Sequence, residues 1–294
     1  MLFNAANGKR QVNRTANHKQ SSHTKTMDAT TTKLFAFLKV PFVALWMLSH
    51  ALTCQLLKWL GRSRITTYLS FHRGMRRFFN LHSDISGTME TSPNTLYVSN
   101  HISYLDVFVL GAEIPASFIA KSEVSGWPVF GKLAACQDTL FLKRKSSYAA
   151  SQVSQLRARL NQDSLILFPE GTSTPGTMIE PFRSTLFAAS DGCKIQPVTV
   201  AYTHYDGDRM NQKQRDRYAW YLPMPFLSHF IYALGLKRAG AQIVFHEPVT
   251  LDEFESRKAC AKHCEQVVRA GLLKAIAESE ETAPTHYLAA VGRA

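Results

Sequence analysis

A chain of 294 residues that is 45% hydrophobic and 11% aromatic has enough apolar material for a sizeable core, which excludes disorder throughout and allows one large domain or two small ones. Its net charge of +12 is confined to one end: residues 1–83 hold thirteen Lys and Arg against Asp28 alone, while residues 84–294 carry twenty-one charges of each sign. A basic excess standing ahead of a neutral domain argues against a nucleic-acid-binding face and for a membrane surface.

Residues 1–33 are rich in Asn, Thr, Ser, Lys and Gln without apolar periodicity, so a mobile basic tail is expected. They do not read as a secretory signal, because the apolar run begins only near Leu34 and no small-residue cleavage pattern follows it. Residues 40–57 lack formal charge but include Pro41, Ser49, His50, Thr53 and Gln55, a marginal length and composition for crossing a bilayer. Basic residues flank both ends, from Lys9 to Lys33 before and from Lys58 to Arg77 after. One crossing cannot keep both flanks in the cytoplasm, which favours a helix lying in one leaflet over a single-pass span.

A second helix is expected over 65–81, with Ile65, Leu69, Phe71, Met75, Phe78 and Phe79 on one side and Arg73, Arg76 and Arg77 available to anionic headgroups. The two helices, residues 34–82, read as a membrane-docking unit; the alternative is that both pack on the core of the domain that follows.

From residue 83 onward, runs rich in β-branched and aromatic residues alternate with helical patterns. Strands are expected at 95–99, 117–120, 139–142, 164–168, 196–202 and 242–246, and helices at 105–111, 147–160, 183–189 and 252–278, the last turning Phe254, Cys264, Val267, Val268, Leu272 and Ile276 inward. The pattern predicts a single α/β domain over 83–294, a mostly parallel or mixed sheet flanked by helices, with its site where loops leave the strand ends. The uncharged segment 218–236 gathers Tyr218, Trp220, Tyr221, Met224, Phe226, Phe230 and Tyr232, suited to an acyl path, a membrane interface or the core.

Three groups of residues can carry chemistry. The string NHISYLD, 100–106, follows a strand; His101 in the turn and Asp106 in the first turn of a helix would form a base and its orienting carboxylate. Equally, Ser103 with Asp106 three residues later reads as a capping box. FPEGT, 168–172, closes another strand; Gly171 permits close backbone approach, and Glu170 can accept hydrogen bonds from substrate hydroxyls. Lys121, Arg144 and Arg183 supply cations for an anionic headgroup. No metal site is expected: Cys260, His263 and Cys264 do not complete a ligand set, and five scattered cysteines suit free thiols in a reducing compartment.

NHISYLD resembles the HxxxxD motif of the glycerolipid acyltransferase family typified by bacterial 1-acylglycerol-3-phosphate acyltransferases. TLFLKR with Arg144, FPEGT and IQPVTV around Pro197 resemble its second, third and fourth motifs in order, and the likeness spans residues 65–250. It implies direct acyl transfer: His101, oriented by Asp106, deprotonates the acceptor hydroxyl, which attacks the thioester of acyl-CoA or acyl-carrier protein, a co-substrate rather than a cofactor. The same likeness implies that Lys121, Arg144, Glu170, Gly171 and Thr172 bind the acceptor. It places the chain on membrane lipids at the cytoplasmic face of the cell membrane, as a monotopic or single-pass protein. Ser173 stands where the family commonly has Arg, and FPEGTSTPG, KSEVSGWP and HEPV resemble instead the lyso-ornithine lipid acyltransferase branch. The expected acceptor is 1-acylglycerol 3-phosphate, yielding phosphatidic acid; the alternative is a lyso-ornithine lipid, and the reading of another class is a non-catalytic membrane-binding protein.

Overall fold

The computed structural model describes residues 6–143 and 149–281, with side chains over 33–143 and 150–278. Helix α1 (Ala6–Trp59) runs on through Pro41, so its backbone starts well ahead of the Leu34 start expected of the anchor helix. Lys33–Trp59 is long and apolar enough to cross a membrane, and only 22% of its apolar stretch is buried inside the protein. One side, with Ala36, Val43, Met47 and Cys54, packs inward; the other leaves Phe37, Leu38, Phe42, Leu45, Leu48 and Leu52 exposed.

Helix α2 (Ile65–Phe78) buries Tyr68, Phe71, His72 and Met75 against the domain. The arginines expected to meet headgroups are partly diverted: Arg73 Nε donates to the Ala112 carbonyl at 2.9 Å, and Arg76 pairs with Glu113 and Ser83. Arg77 is exposed. The face of α2 that the sequence assigns to lipid thus also docks the helix on its own domain. Gly74 makes the contact with α1 possible, since a Cβ there would lie 2.2 Å from the Trp46 ring. The helix stops three residues short of the expected end because Asn80 takes a positive φ of 55° and turns the chain into β1 (Leu81–Ser86), a strand the sequence reading missed. The boundary drawn at residue 82 therefore falls inside the main sheet.

The remaining elements are β2 (Leu96–Ser99), α3 (Leu105–Gly111), β3 (Ser117–Lys121), α4 (Phe130–Cys136), β4 (Leu140–Leu142), α5 (Ala149–Leu160), β5 (Leu165–Leu167), β6 (Ile195–Tyr205), β7 (Asp208–Arg209), α6 (Gln212–Arg215), α7 (Phe226–Leu234), β8 (Ala239–Phe245) and α8 (Arg257–Glu281). The expected helix at 183–189 contracts to a 3-10 turn at Leu186–Ala189, and α4 was not foreseen.

The strands form one mixed sheet in the order β1-β8-β6-β2-β5-β3-β4, with β7 paired to β6. Within it β6, β2, β5, β3 and β4 run parallel to one another, and β8 is antiparallel to β6. The central strands β2 and β5 are buried on both faces, which is why they read as continuous apolar runs. One face of the sheet packs on α1, α2, α3 and α7, the other on α5 and α8, where Cys260, Cys264, Val268 and Leu272 are buried. Because the five strands point the same way, the loops after β2, β5, β3 and β4 leave one edge together.

Candidate active site

The loop after β2 carries His101, and α3 places Asp106 in its first turn. His101 Nδ1 lies 2.9 Å from Asp106 Oδ2, so Nδ1 carries the proton and donates, and Nε2 presents its lone pair. Asp106 is fully buried. Its Oδ2 also accepts the backbone N–H groups of Ile102 (2.7 Å) and Ser103 (2.9 Å), and its Oδ1 accepts the Tyr202 hydroxyl at 3.0 Å. Four donors on one carboxylate offset its loss of water and fix its plane.

Half of the competing capping arrangement is present in the same place. Asp106 reaches back to the Ser103 amide as a capping box requires, yet Ser103 does not cap α3, and its buried Oγ has no hydrogen-bond partner among the described residues. One carboxylate thus serves both the turn and the imidazole. The His101 ring, whose side chain is 21% exposed, stacks on Phe168 with centroids 4.1 Å apart and planes 20° from parallel.

The loop after β5 closes on this turn. Glu170 is 2% exposed; its Oε1 accepts the His101 amide at 2.6 Å and its Oε2 the Glu180 amide at 2.7 Å. Burial pushes its carboxyl up to about 8, while the amides of Glu180 and His101 pull it the other way. With each oxygen engaged by a backbone donor, Glu170 binds the protein's own loops, where the sequence had suggested substrate hydroxyls. The Thr174 amide and hydroxyl donate to the His101 carbonyl at 2.9 and 3.2 Å, so His101 is held through its ring, its N–H and its C=O.

Gly171 sits at a φ of 75°, a turn conformation that a side chain would strain. Thr172 is exposed beside it. Lys121 is exposed at the end of β3, on the same sheet edge and separated from β2 by β5. Arg183 is exposed farther along the loop, its amide donating to the Pro169 carbonyl at 3.1 Å. Arg144, two residues past β4, lies outside the described residues. Ser173, where the sequence resemblance leads one to expect Arg, donates through Oγ to the Trp220 carbonyl at 2.8 Å.

Three contributors were not foreseen: Tyr202, Asn100 and Thr174. Asn100 is fully buried and exchanges two hydrogen bonds with the Val200 backbone, at 2.9 and 2.8 Å, tying the turn to β6. In the sequence Asn100 was visible as part of NHISYLD, whereas Tyr202 reads as one more core residue of its strand.

An imidazole whose ring is held by a buried carboxylate, at the C-terminal ends of the parallel strands of an α/β sheet, is the arrangement that hydroxyl activation by a general base needs. Comparison with known proteins narrows the chemistry. The Acyltransferase family pattern matches residues 80–201. A lyso-ornithine lipid O-acyltransferase of Rhodobacter capsulatus is 40% identical over 60% of this chain and 64% of its own length. One from Brucella abortus is 36% identical over 70% of this chain and 81% of its own. The crystal structure of the 1-acyl-sn-glycerophosphate (LPA) acyltransferase PlsC from Thermotoga maritima covers 85% of this chain and 96% of its own with a TM-score of 0.59; at 18% identity it shows the shared fold. The chain belongs to the acyltransferase family and is an enzyme of acyl transfer. With that family, the exposed apolar side of α1 marks it as membrane-associated.

Proposed function

We propose that the protein is a lysolipid O-acyltransferase in which His101 is the general base. The observation that carries this reading is the 2.9 Å pairing of His101 Nδ1 with Asp106, which leaves Nε2 as the ring nitrogen the carboxylate does not engage. His101 Nε2 takes the proton of the acceptor hydroxyl as its oxygen attacks the thioester carbonyl of acyl-CoA or acyl-carrier protein. The tetrahedral intermediate collapses with loss of the thiolate, and the imidazolium returns the proton to that sulfur. Asp106 stabilises the imidazolium between the two steps.

Glu170 acts in this scheme as a positioning residue through the His101 amide. Lys121, Thr172 and the cation at Arg144 serve the headgroup, and Gly171 lets the loop approach it. Among acceptors, a lyso-ornithine lipid is favoured by the identity of the two relatives and by Ser173, which offers no cation for a phosphate. The second reading, 1-acylglycerol 3-phosphate, rests on the ordered motif blocks around His101, Arg144, Glu170 and Pro197.

The apolar side of α1 rests in the cytoplasmic leaflet of the cell membrane, where a soluble thioester donor reaches the edge from the aqueous side. Replacing Leu38, Leu45 and Leu52 by Glu is expected to release the protein from vesicles; sedimentation equal to the parent protein would contradict the placement. The enzymatic reading is tested by offering purified protein a labelled acyl donor with lyso-ornithine lipid and lysophosphatidic acid side by side. His101→Ala is expected to abolish transfer while membrane association persists, and near-parental turnover by that variant would refute the base assignment.

A further inference from the structure

Between Arg217 and Lys237 the chain carries no formal charge, yet much of it is not buried. Tyr218 and Phe230 are core residues, but the corner that leads into α7, residues 221–227, exposes Tyr221, Leu222 (51%) and Leu227 (60%). The corner is ordered by its own contacts. Trp220 Nε1 donates to the Met224 carbonyl at 3.1 Å and the Met224 amide to the Leu222 carbonyl at 2.8 Å. Phe226 packs on Trp127, Phe130 and Tyr104 with centroids 4.8 to 4.9 Å apart. The exposed leucines of this corner have nothing to gain from water, while Tyr221 beside them turns its hydroxyl to Asp216 Oδ1 at 3.3 Å.

Two further relationships say what covers them. Helix α7 packs against α1, and Lys39 of α1 donates to the last carbonyls of both α2 and α7, Phe78 at 2.7 Å and Leu234 at 3.0 Å. Helix α7 thus runs from the exposed corner at its N-terminal end to a packed contact with α1, whose outer side is apolar and exposed. The corner is also joined to the catalytic turn: the Trp220 amide donates to the Ile102 carbonyl at 3.0 Å, one residue from His101, and the Trp220 carbonyl accepts from Ser173.

We propose that the 221–227 corner is a second membrane-contacting element, entering the same leaflet as α1 and holding the His101 turn at the bilayer surface where a lysolipid acceptor emerges. Its partner is the lipid bilayer. The inference rests on the lysolipid reading for its purpose but not for the contact itself. Leu227 is well placed to test it, because it is the second residue of α7, where an aspartate suits the helix N-terminus and leaves the fold intact.

The full chain with Cys136→Ser, which removes the one cysteine that is not buried among five free thiols, is labelled with an environment-sensitive fluorophore at Leu227→Cys. On vesicles of phosphatidylcholine and phosphatidylglycerol the emission is expected to shift to the blue and to be quenched by lipids brominated in the acyl chain. The same label at Asp163→Cys, ahead of β5 at the opposite end of the sheet, is expected to show neither effect. Leu227→Asp is expected to lower kcat/KM on vesicle-borne acceptor by about tenfold while leaving a short-chain monomeric acceptor unaffected. An unshifted Leu227→Cys label on sedimenting protein overturns the proposal, as does an equal loss on both acceptors, which would make the corner a prop for the His101 turn. If the parent protein acylates no lysolipid at all, the lysolipid reading fails while the fluorophore still decides the contact.

Discussion

The Tyr202 hydroxyl donates to Asp106 Oδ1 at 3.0 Å, on the oxygen that His101 does not use. Both residues are buried, and burial together with the Asp106 charge holds the phenol far above its ordinary pKa, so it remains a donor throughout the working range. Tyr202→Phe keeps the ring and removes this donor. Loss of a hydrogen bond to a buried carboxylate costs about 1.5–3 kcal/mol of stability. We expect kcat to fall about tenfold with KM unchanged, since the acceptor does not touch Tyr202. A raised KM with unchanged kcat would assign Tyr202 to binding instead.

Asp106→Asn separates geometry from charge. The amide oxygen can occupy the Oδ2 position among its three donors, and the amide nitrogen can donate to the Tyr202 oxygen, so the turn should fold. What is lost is the negative charge facing the imidazolium, and kcat is expected to drop by roughly 10²–10⁴. Combined with Tyr202→Phe the effects should be less than additive, because both act through one carboxylate.

Glu170→Gln offers one acceptor where two backbone amides need one each, and turns an N–H toward the other. A destabilisation of about 1–3 kcal/mol is expected, with reduced kcat. The two proteins should also differ in pH response. Burial holds the Glu170 carboxyl at about 8 in the folded state against its ordinary 4.5, so the folded chain binds the proton more tightly. The corresponding stability is fully present below pH 4.5 and lost as pH rises toward 8. Thermal unfolding from pH 5 to 8 should show this decline in the parent and lack it in Glu170→Gln.

His72 has the opposite linkage. It is buried on α2 among Phe71, Phe108 and Phe118, and burial lowers its pKa from 6.5 to about 3. Its neutral form is part of the core, so stability is lost as pH falls from 6.5 toward 3. His72→Leu should flatten the acid side of the unfolding profile; an unchanged acid limb would show that other groups govern it.

Local sequence carried much of the site. Helix α3 is found at the expected residues, because a turn whose amides bond Asp106 and a short apolar helix are encoded within a few positions, and the five-residue spacing of His101 and Asp106 becomes a contact only in that turn. The flat, apolar runs of β2 and β5 were equally legible. By contrast β1 alternates poorly and leaves most of its residues partly or fully exposed (LHSDIS), so it looks like loop until β8 pairs with it. The partners that Arg73, Arg76 and Glu170 find within the chain were not legible for one reason: a charged residue announces that it needs a partner, and only the tertiary structure shows which groups of the chain supply one. Tyr202 was invisible because a strand tyrosine carries no local sign of what its hydroxyl meets.

The His101–Asp106 pair is five residues long, but what fixes it comes from Glu170, Thr174, Tyr202 and Trp220, between 69 and 118 positions away from the residues they hold. A chain emerging from the ribosome can therefore wind α1, α2 and α3 long before it owns a working base. Contacts of such separation close late in folding, so in a refolding experiment acyl transfer should return after the helical signal. A half-folded protein already resting on the membrane would then have little capacity to acylate the lipids around it.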